Sequence, residues 1–248
     1  MKIERLIVGR FTAPAGIFRA GDDMDRSIRF PIPAYLVETE TERILIDTGL
    51  NPEALEDPVA YYERPDVFAA CTLEQDRRLD EQIDLRTLTR VVLTHLHWDH
   101  VGGLALIPQK IPLVLQRREW EAGHEAGAQQ RNFFLPRDYA GEDRKLVLLD
   151  GDHDLLGDGS IELMLTPGHT PGHQSVRAGD VVIGADVTHF ASGLDDLRFP
   201  VFADDHEQQR RSARRLRELR DAGLPVIPGH DPALLPPGRL TASLAGSS

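Results

Sequence analysis

Within six residues, His95-Leu96-His97-Trp98-Asp99-His100, the chain places three imidazoles and a carboxylate. These are donors that suit zinc, iron, manganese or cobalt, and a turn at the end of a strand can fan ligands so closely spaced around more than one ion. A polar loop with a helix cap at Asp99 would need none of the three histidines, which are three of only 10 in the chain. A second segment, Thr166-Pro167-Gly168-His169-Thr170-Pro171-Gly172-His173, is by itself a tight double turn. It gains meaning from its company, because Gly184-Ala185-Asp186 and Pro228-Gly229-His230 follow it. His95, His97, Asp99, His100, His169, Asp186 and His230 are therefore the candidate metal ligands. His173 is read as a supporting residue, since such a turn aims one of its two histidines inward.

An apolar run precedes each of these groups. His95 follows Val91-Val92-Leu93-Thr94, His169 follows Leu163-Met164-Leu165-Thr166-Pro167-Gly168, Asp186 follows Val181-Val182-Ile183-Gly184-Ala185, and His230 follows Val226-Ile227-Pro228-Gly229. Strands that lie side by side bring their ends together, so ligands far apart in sequence can meet there. Further strands are expected at 3–8, 34–38, 43–47, 113–116 and 145–149, with a hairpin turning at Ala178-Gly179-Asp180. Thr72 and Gln75 have the spacing of a capping box, and Leu79 and Ile83 lie four residues apart, so the pattern predicts a helix over 73–83. A second helix is expected over 206–222, capped by Asp204 or Asp205, with Ala213, Leu216 and Leu219 turned inward and Gly223 ending it. Residues 11–30 and 51–70 read as long irregular segments, 1–235 as one domain, and 236–248 as a loosely ordered tail.

The chain has 248 residues with 28 basic and 40 acidic side chains, a formal net charge of −12. That charge repels a phosphate-rich partner at long range, so nucleic acid is not expected. The arginines at 210–220 are interleaved with Glu218 and apolar residues at helical spacing, the mark of a solvated helix face. Cys71 is the only cysteine, which excludes an intrachain disulfide and a thiolate-only metal site. The first residues lack the apolar run of a secretory signal, and no span of twenty apolar residues is present, so a cytoplasmic protein without a membrane segment is expected.

The ligand-bearing motifs, together with Tyr35-Leu36-Val37-Glu38-Thr39, Ile46-Asp47-Thr48-Gly49, the block from His95 to Gly103, Pro171-Gly172-His173-Gln174-Ser175 and Gly229-His230-Asp231, make the chain resemble the metallo-β-lactamase superfamily. Within it, the chain is similar to the N-acyl-homoserine lactonases. The resemblance runs from about Pro31 to His230. It implies an α/β fold, an αββα sandwich with metals at one edge of the two sheets. Carried over, it implies that His95, His97 and His169 bind one divalent ion, that Asp99, His100 and His230 bind another, and that Asp186 bridges them. Zinc is the default, with iron, manganese or cobalt as alternatives. A hydroxide held between two cations would then attack the carbonyl of a small lactone or ester, and Asp99 would carry its proton to the departing alkoxide.

One position departs from the lactonases. A tyrosine commonly lies three residues after their bridging aspartate, and His189 stands there in this chain. Its imidazole N–H is expected to serve the oxyanion or leaving group, with a pocket-wall or even a surface histidine as the alternative. Phe18, Met24 and Phe68, carried on the two irregular segments, are the candidate substrate contacts in a mostly apolar pocket. Other lactonases, hydroxyacylglutathione-hydrolase-like thioesterases and iron-dependent oxygen-using proteins share the scaffold, and fold alone does not separate them. Only 18 residues follow His230, too few for the helical glutathione-binding region usual in the thioesterases. The exposed faces of the 206–222 helix and the early loops could support a homodimer.

Overall fold

The structure, a computed structural model, describes residues 1–141, 143–233 and 237–240. Strand β1 (Lys2–Pro14) pairs antiparallel with β2 (Ser27–Glu38) along almost its whole length, from Lys2 opposite Glu38 to Pro14 opposite Ser27. The irregular loop expected at 11–30 is thus mostly the outer part of a long hairpin, closed by a short helix at Ala15–Phe18. Pro31 and Pro33 disguise it, since proline removes a ladder donor; they are accommodated beside a register shift between Ile7 and Gly9.

The hairpin seeds an eight-stranded sheet. β3 (Arg43–Ile46) joins β2 antiparallel, and β5 (Arg90–Val92), β6 (Leu113–Gln116) and β7 (Leu146–Leu149) follow in parallel. On the other edge of β1 lie β4 (Thr72–Glu74) and β13 (Gly238–Leu240). Two expectations change here. The helix over 73–83 is reduced to Leu79–Gln82, because Thr72–Glu74 pair with Arg10–Thr12 and the Gln75 amide donates to the Val8 carbonyl at 2.7 Å. Part of the supposed tail, Gly238–Leu240, is a strand against Ile3–Arg5; residues 236 and 241–248 lie outside the described residues.

The second sheet has the order β12 (Val226–Pro228), β11 (Val181–Ala185), β10 (Gln174–Ala178), β9 (Ile161–Leu165) and β8 (His153–Asp154). Its hairpin turns at Gly179, whose positive φ of 55° fits the expected turn. Ile44, Ile46, Val92 and Val114 of the first sheet meet Leu163, Val176, Ile183 and Ile227 of the second in one apolar layer. The outer face of the second sheet packs on Ala213 and Leu216 of the helix His206–Asp221, whose Asp205 accepts from the Glu207 and Gln208 N–H groups. Short helices and loops cover the other outer face, where Trp98 and Leu104 share an apolar cluster with Phe11 and Phe30 of the sheet. Helix, sheet, sheet and helix therefore stack in the αββα order. None of the described helices is long and apolar enough to cross a membrane.

Candidate metal centre

The turns that carry the candidate ligands leave both sheets at one end. β5 leads through Leu93-Thr94 to His95, β9 leads to His169, β11 runs directly into Asp186, and β12 reaches His230 through Gly229. The backbone is drawn tightly there. Ala185 takes a left-handed φ of 45°, costly for a residue with a Cβ, and turns Asp186 out of its strand. Gly229 is required by contact, since a Cβ there would lie 2.1 Å from Asp186 Oδ1.

All seven candidate ligands are buried and fall into two facing groups. In the first, donor atoms of His95, His97, His169 and Asp186 lie within 4.8 Å of one another; in the second, those of Asp99, His100 and His230 do. His97 Nδ1 stands 3.0 Å from both His95 Nε2 and His169 Nε2. Asp186 Oδ2 faces both groups, 3.5 Å from His169 Nε2, 3.6 Å from His100 Nε2 and 3.2 Å from His230 Nε2.

Contacts behind the rings fix which nitrogen points inward. His97 Nε2 donates to the Asn132 carbonyl at 2.8 Å, and His230 Nδ1 to the Pro31 carbonyl at 2.8 Å. His100 Nδ1 meets Asp47 Oδ2 at 2.8 Å, and His95 Nδ1 meets Thr94 Oγ1 at 3.0 Å. Asp47 also accepts from the Thr94 N–H and hydroxyl, each at 2.8 Å. Inward-facing His100 Nε2 has no hydrogen-bond partner although buried, and neither has Asp186 Oδ1, beside Gly229. Converging nitrogens and carboxylate oxygens, short of protons to share, are what a pair of divalent cations satisfies, so the donor set fits such ions.

Electrostatics differ between the groups. Burial holds His95 and His169 well below the usual histidine range, leaving them neutral, the form that ligates metal. Burial also opposes charge on His100 and His230, but Asp186 and Asp99 outweigh it and hold both above that range. At Asp186, burial is outweighed by His230, His189 and His100, which keep the carboxyl ionised.

His173 and His189 flank the candidate ligands. His173 Nε2 accepts from the Asp186 N–H at 3.1 Å while Nδ1 faces Thr166 Oγ1 at 3.0 Å, so it steadies the Asp186 backbone. Burial pushes His189 down to about 3; its Nε2 lies 3.4 Å from Asp186 Oδ2 and its ring packs on Phe18 with centroids 5.3 Å apart.

A cavity of about 340 Å³ opens onto His97, Asp99, Asp186 and His189. Its walls are mostly apolar: Ile17, Phe18, Val67, Trp98, Phe133, Val201 and Phe202, with Cys71 and Asp66 among them. Phe18 lines it as expected; Met24 and Phe68 do not. Met24 is 54 % exposed with its sulfur against Gly16, and Phe68 is buried below the floor, stacked on Tyr62 and edge-on to Trp98. Val201 and Phe202 leave no signal in the sequence, because they sit in an aperiodic stretch between Asp186 and the long helix.

Two sheets between helices, with seven buried His and Asp side chains gathered at one edge, define an αββα scaffold with a candidate metal site. A model of the metallo-beta-lactamase superfamily matches residues 28–230, and the chain belongs to that superfamily. It is 28% identical over 219 residues to the N-acyl homoserine lactonase AiiA of Bacillus thuringiensis subsp. kurstaki, a match covering 82% of each chain. It is 27% identical over 221 residues to the N-acyl homoserine lactonase AttM of Azorhizobium caulinodans, covering 83% of this chain and 84% of that one. Among solved structures, a B. thuringiensis AiiA variant with N-decanoyl-L-homoserine at its active site superposes with a TM-score of 0.81 at 24% identity, covering 94% of each chain. The dizinc quorum-quenching lactonase AidC superposes at 0.67 and 20% identity, covering 93% of this chain and 87% of that one.

Proposed function

We propose that this protein is a dinuclear metal-dependent lactonase that opens N-acyl homoserine lactones. The observation that carries the reading is the apolar cavity that ends on two facing donor groups joined by Asp186. His95, His97 and His169 would hold one ion, Asp99, His100 and His230 the other, and Asp186 both. Bound there, divalent ions lower the pKa of a shared water toward neutrality and polarise a carbonyl. Zinc ions and a cytoplasmic setting belong to the same proposal, and the named relatives support the substrate class.

The chain's own groups then have distinct tasks. Asp99 lines the cavity, with Oδ2 3.4 Å from His230 Nε2, where it can take a proton from the attacking water and pass it to the leaving alkoxide. His189, in the cavity wall, donates from Nε2 to the lactone carbonyl or leaving oxygen. Phe18, Trp98, Phe133 and Phe202 receive the acyl chain and exclude water, which strengthens every polar interaction at the floor.

Ring opening of homoserine lactones of graded acyl length, followed by pH-stat with zinc-loaded protein, tests the reading against simple thioesters and phosphodiesters. Lactones should turn over fastest, and Asp99→Ala and His169→Ala should abolish that turnover. Two bound ions with no lactone opening would defeat the substrate assignment and move the reaction to another ester class.

A further inference from the structure

We infer that Glu119 is the positioning residue of the first half of the metal centre, tying the loop that carries His95 and His97 to the loop that carries His169. The inference rests on the reading that these three histidines hold an ion, and it concerns a residue that touches none of them.

Glu119 lies in the first turn of the helix Arg117–His124 and is fully buried, an expensive place for a carboxylate. Burial pushes it up to about 7. What offsets that cost is two sets of donors from two separate loops. Oε1 accepts from the N–H of Leu96, the residue between His95 and His97, at 3.0 Å. Oε2 accepts from the Thr170 hydroxyl at 2.9 Å and the Gly172 N–H at 2.6 Å, on either side of the turn that follows His169. One rigid side chain therefore sets the separation of two loops that must meet at the 3.0 Å contacts of His97 Nδ1 with His95 and His169.

The same helix grips these loops sterically. A Cβ at Gly123 would lie 2.4 Å from Leu96 Cδ1, and one at Gly172 would lie 2.4 Å from the Glu119 nitrogen. The rings of His100 and His230 are braced elsewhere: the ring nitrogen facing away from the centre contacts Asp47 in the first case and the Pro31 carbonyl in the second. Loss of Glu119 should consequently act on one ion and spare the other.

Zinc affinities of the full-length protein, measured by competition with a chelating dye, test this alongside the visible spectrum of the cobalt-loaded form and thermal unfolding of the metal-free form. His169→Ala and His230→Ala identify the ion belonging to each half. Glu119→Ala should weaken the His169 ion about 10–100-fold, the usual cost of losing an outer contact, and perturb the cobalt bands that His169→Ala perturbs. Glu119→Gln should lose less, because its amide oxygen still holds one loop while its NH2 opposes the donors of the other. Unchanged zinc affinities in Glu119→Ala would overturn the inference, as would equal weakening of both ions together with reduced metal-free stability. A wild-type chain that binds fewer than two ions would overturn the metal centre itself, and the inference with it.

Discussion

The two halves of the centre solve the same problem, aiming imidazoles inward, by different means. Around His95, His97 and His169 the rings are neutral, and their loops are spaced by hydrogen bonds to the Asn132 carbonyl and to Glu119, a carboxylate set behind the loops. Around His100 and His230 the carboxylates are at the centre itself: Asp99 and Asp186 face the rings, and Asp47 presses on His100 from behind. The first half is organised by backbone placement, the second by charge. Substitutions in the first should therefore act through geometry, and those in the second through electrostatics as well.

Asp186 belongs to both halves, so the largest effect is expected there. Asp186→Ala should release both ions and lower kcat/KM by more than about 10³-fold, the upper figure for losing a single transition-state donor. Chelation of wild-type protein should do the same, reversibly on return of zinc. Retention of two tightly bound ions by the variant, counted by elemental analysis, would show that the halves are independent. A smaller effect is expected at His189, whose ring nitrogen lies close to Asp186 and His230 but which stands outside the seven proposed ligands. His189→Phe should keep both ions and lose about 10²-fold in kcat, the cost of one donor to a developing oxyanion. Full kcat in that variant would reduce His189 to a wall of the cavity.

The candidate ligands stand out in the sequence because chemistry and topology leave the same trace: a scarce residue type directly after a strand-forming run, as at His95, Asp186 and His230. The runs alone say only that several strands end together; the fold class came from the family resemblance that the motifs at those ends carry. What supports the ligands was much less legible. Glu119 sits in Arg117-Arg118-Glu119-Trp120-Glu121, which reads as an exposed charged helix; only the tertiary approach of two distant loops makes it buried. The strands at Lys2–Pro14 and Ser27–Glu38 were underestimated because long-range pairing overrode the prolines. Thr72–Glu74 went to the edge of β1 for a similar reason, as local capping signals lost to a ladder that the local pattern does not contain. Phe68 falls elsewhere than expected because a buried aromatic can serve core as well as pocket, and it ends the short helix Pro65–Phe68 inside the core; Met24 faces solvent, which an apolar residue type alone does not reveal.

The smallest expected effect separates geometry from charge most cleanly. In the metal-free protein Glu119 titrates near 7, against an ordinary 4.5, so between those values the folded state holds a proton that the unfolded chain has lost. Stability from this group is therefore full below about pH 4.5 and declines as pH rises through about 7, by about 3 kcal/mol at most. Glu119→Gln cannot ionise and should lack this decline. Urea unfolding of the metal-free wild type and variant between pH 5 and 8 should give curves that separate with rising pH, the variant gaining relative stability. Parallel curves would mean that the Leu96, Thr170 and Gly172 donors stabilise the ionised carboxylate enough to cancel its burial. The first half would then rest on a buried charge after all, and its contrast with the second would narrow to the number of carboxylates at the centre.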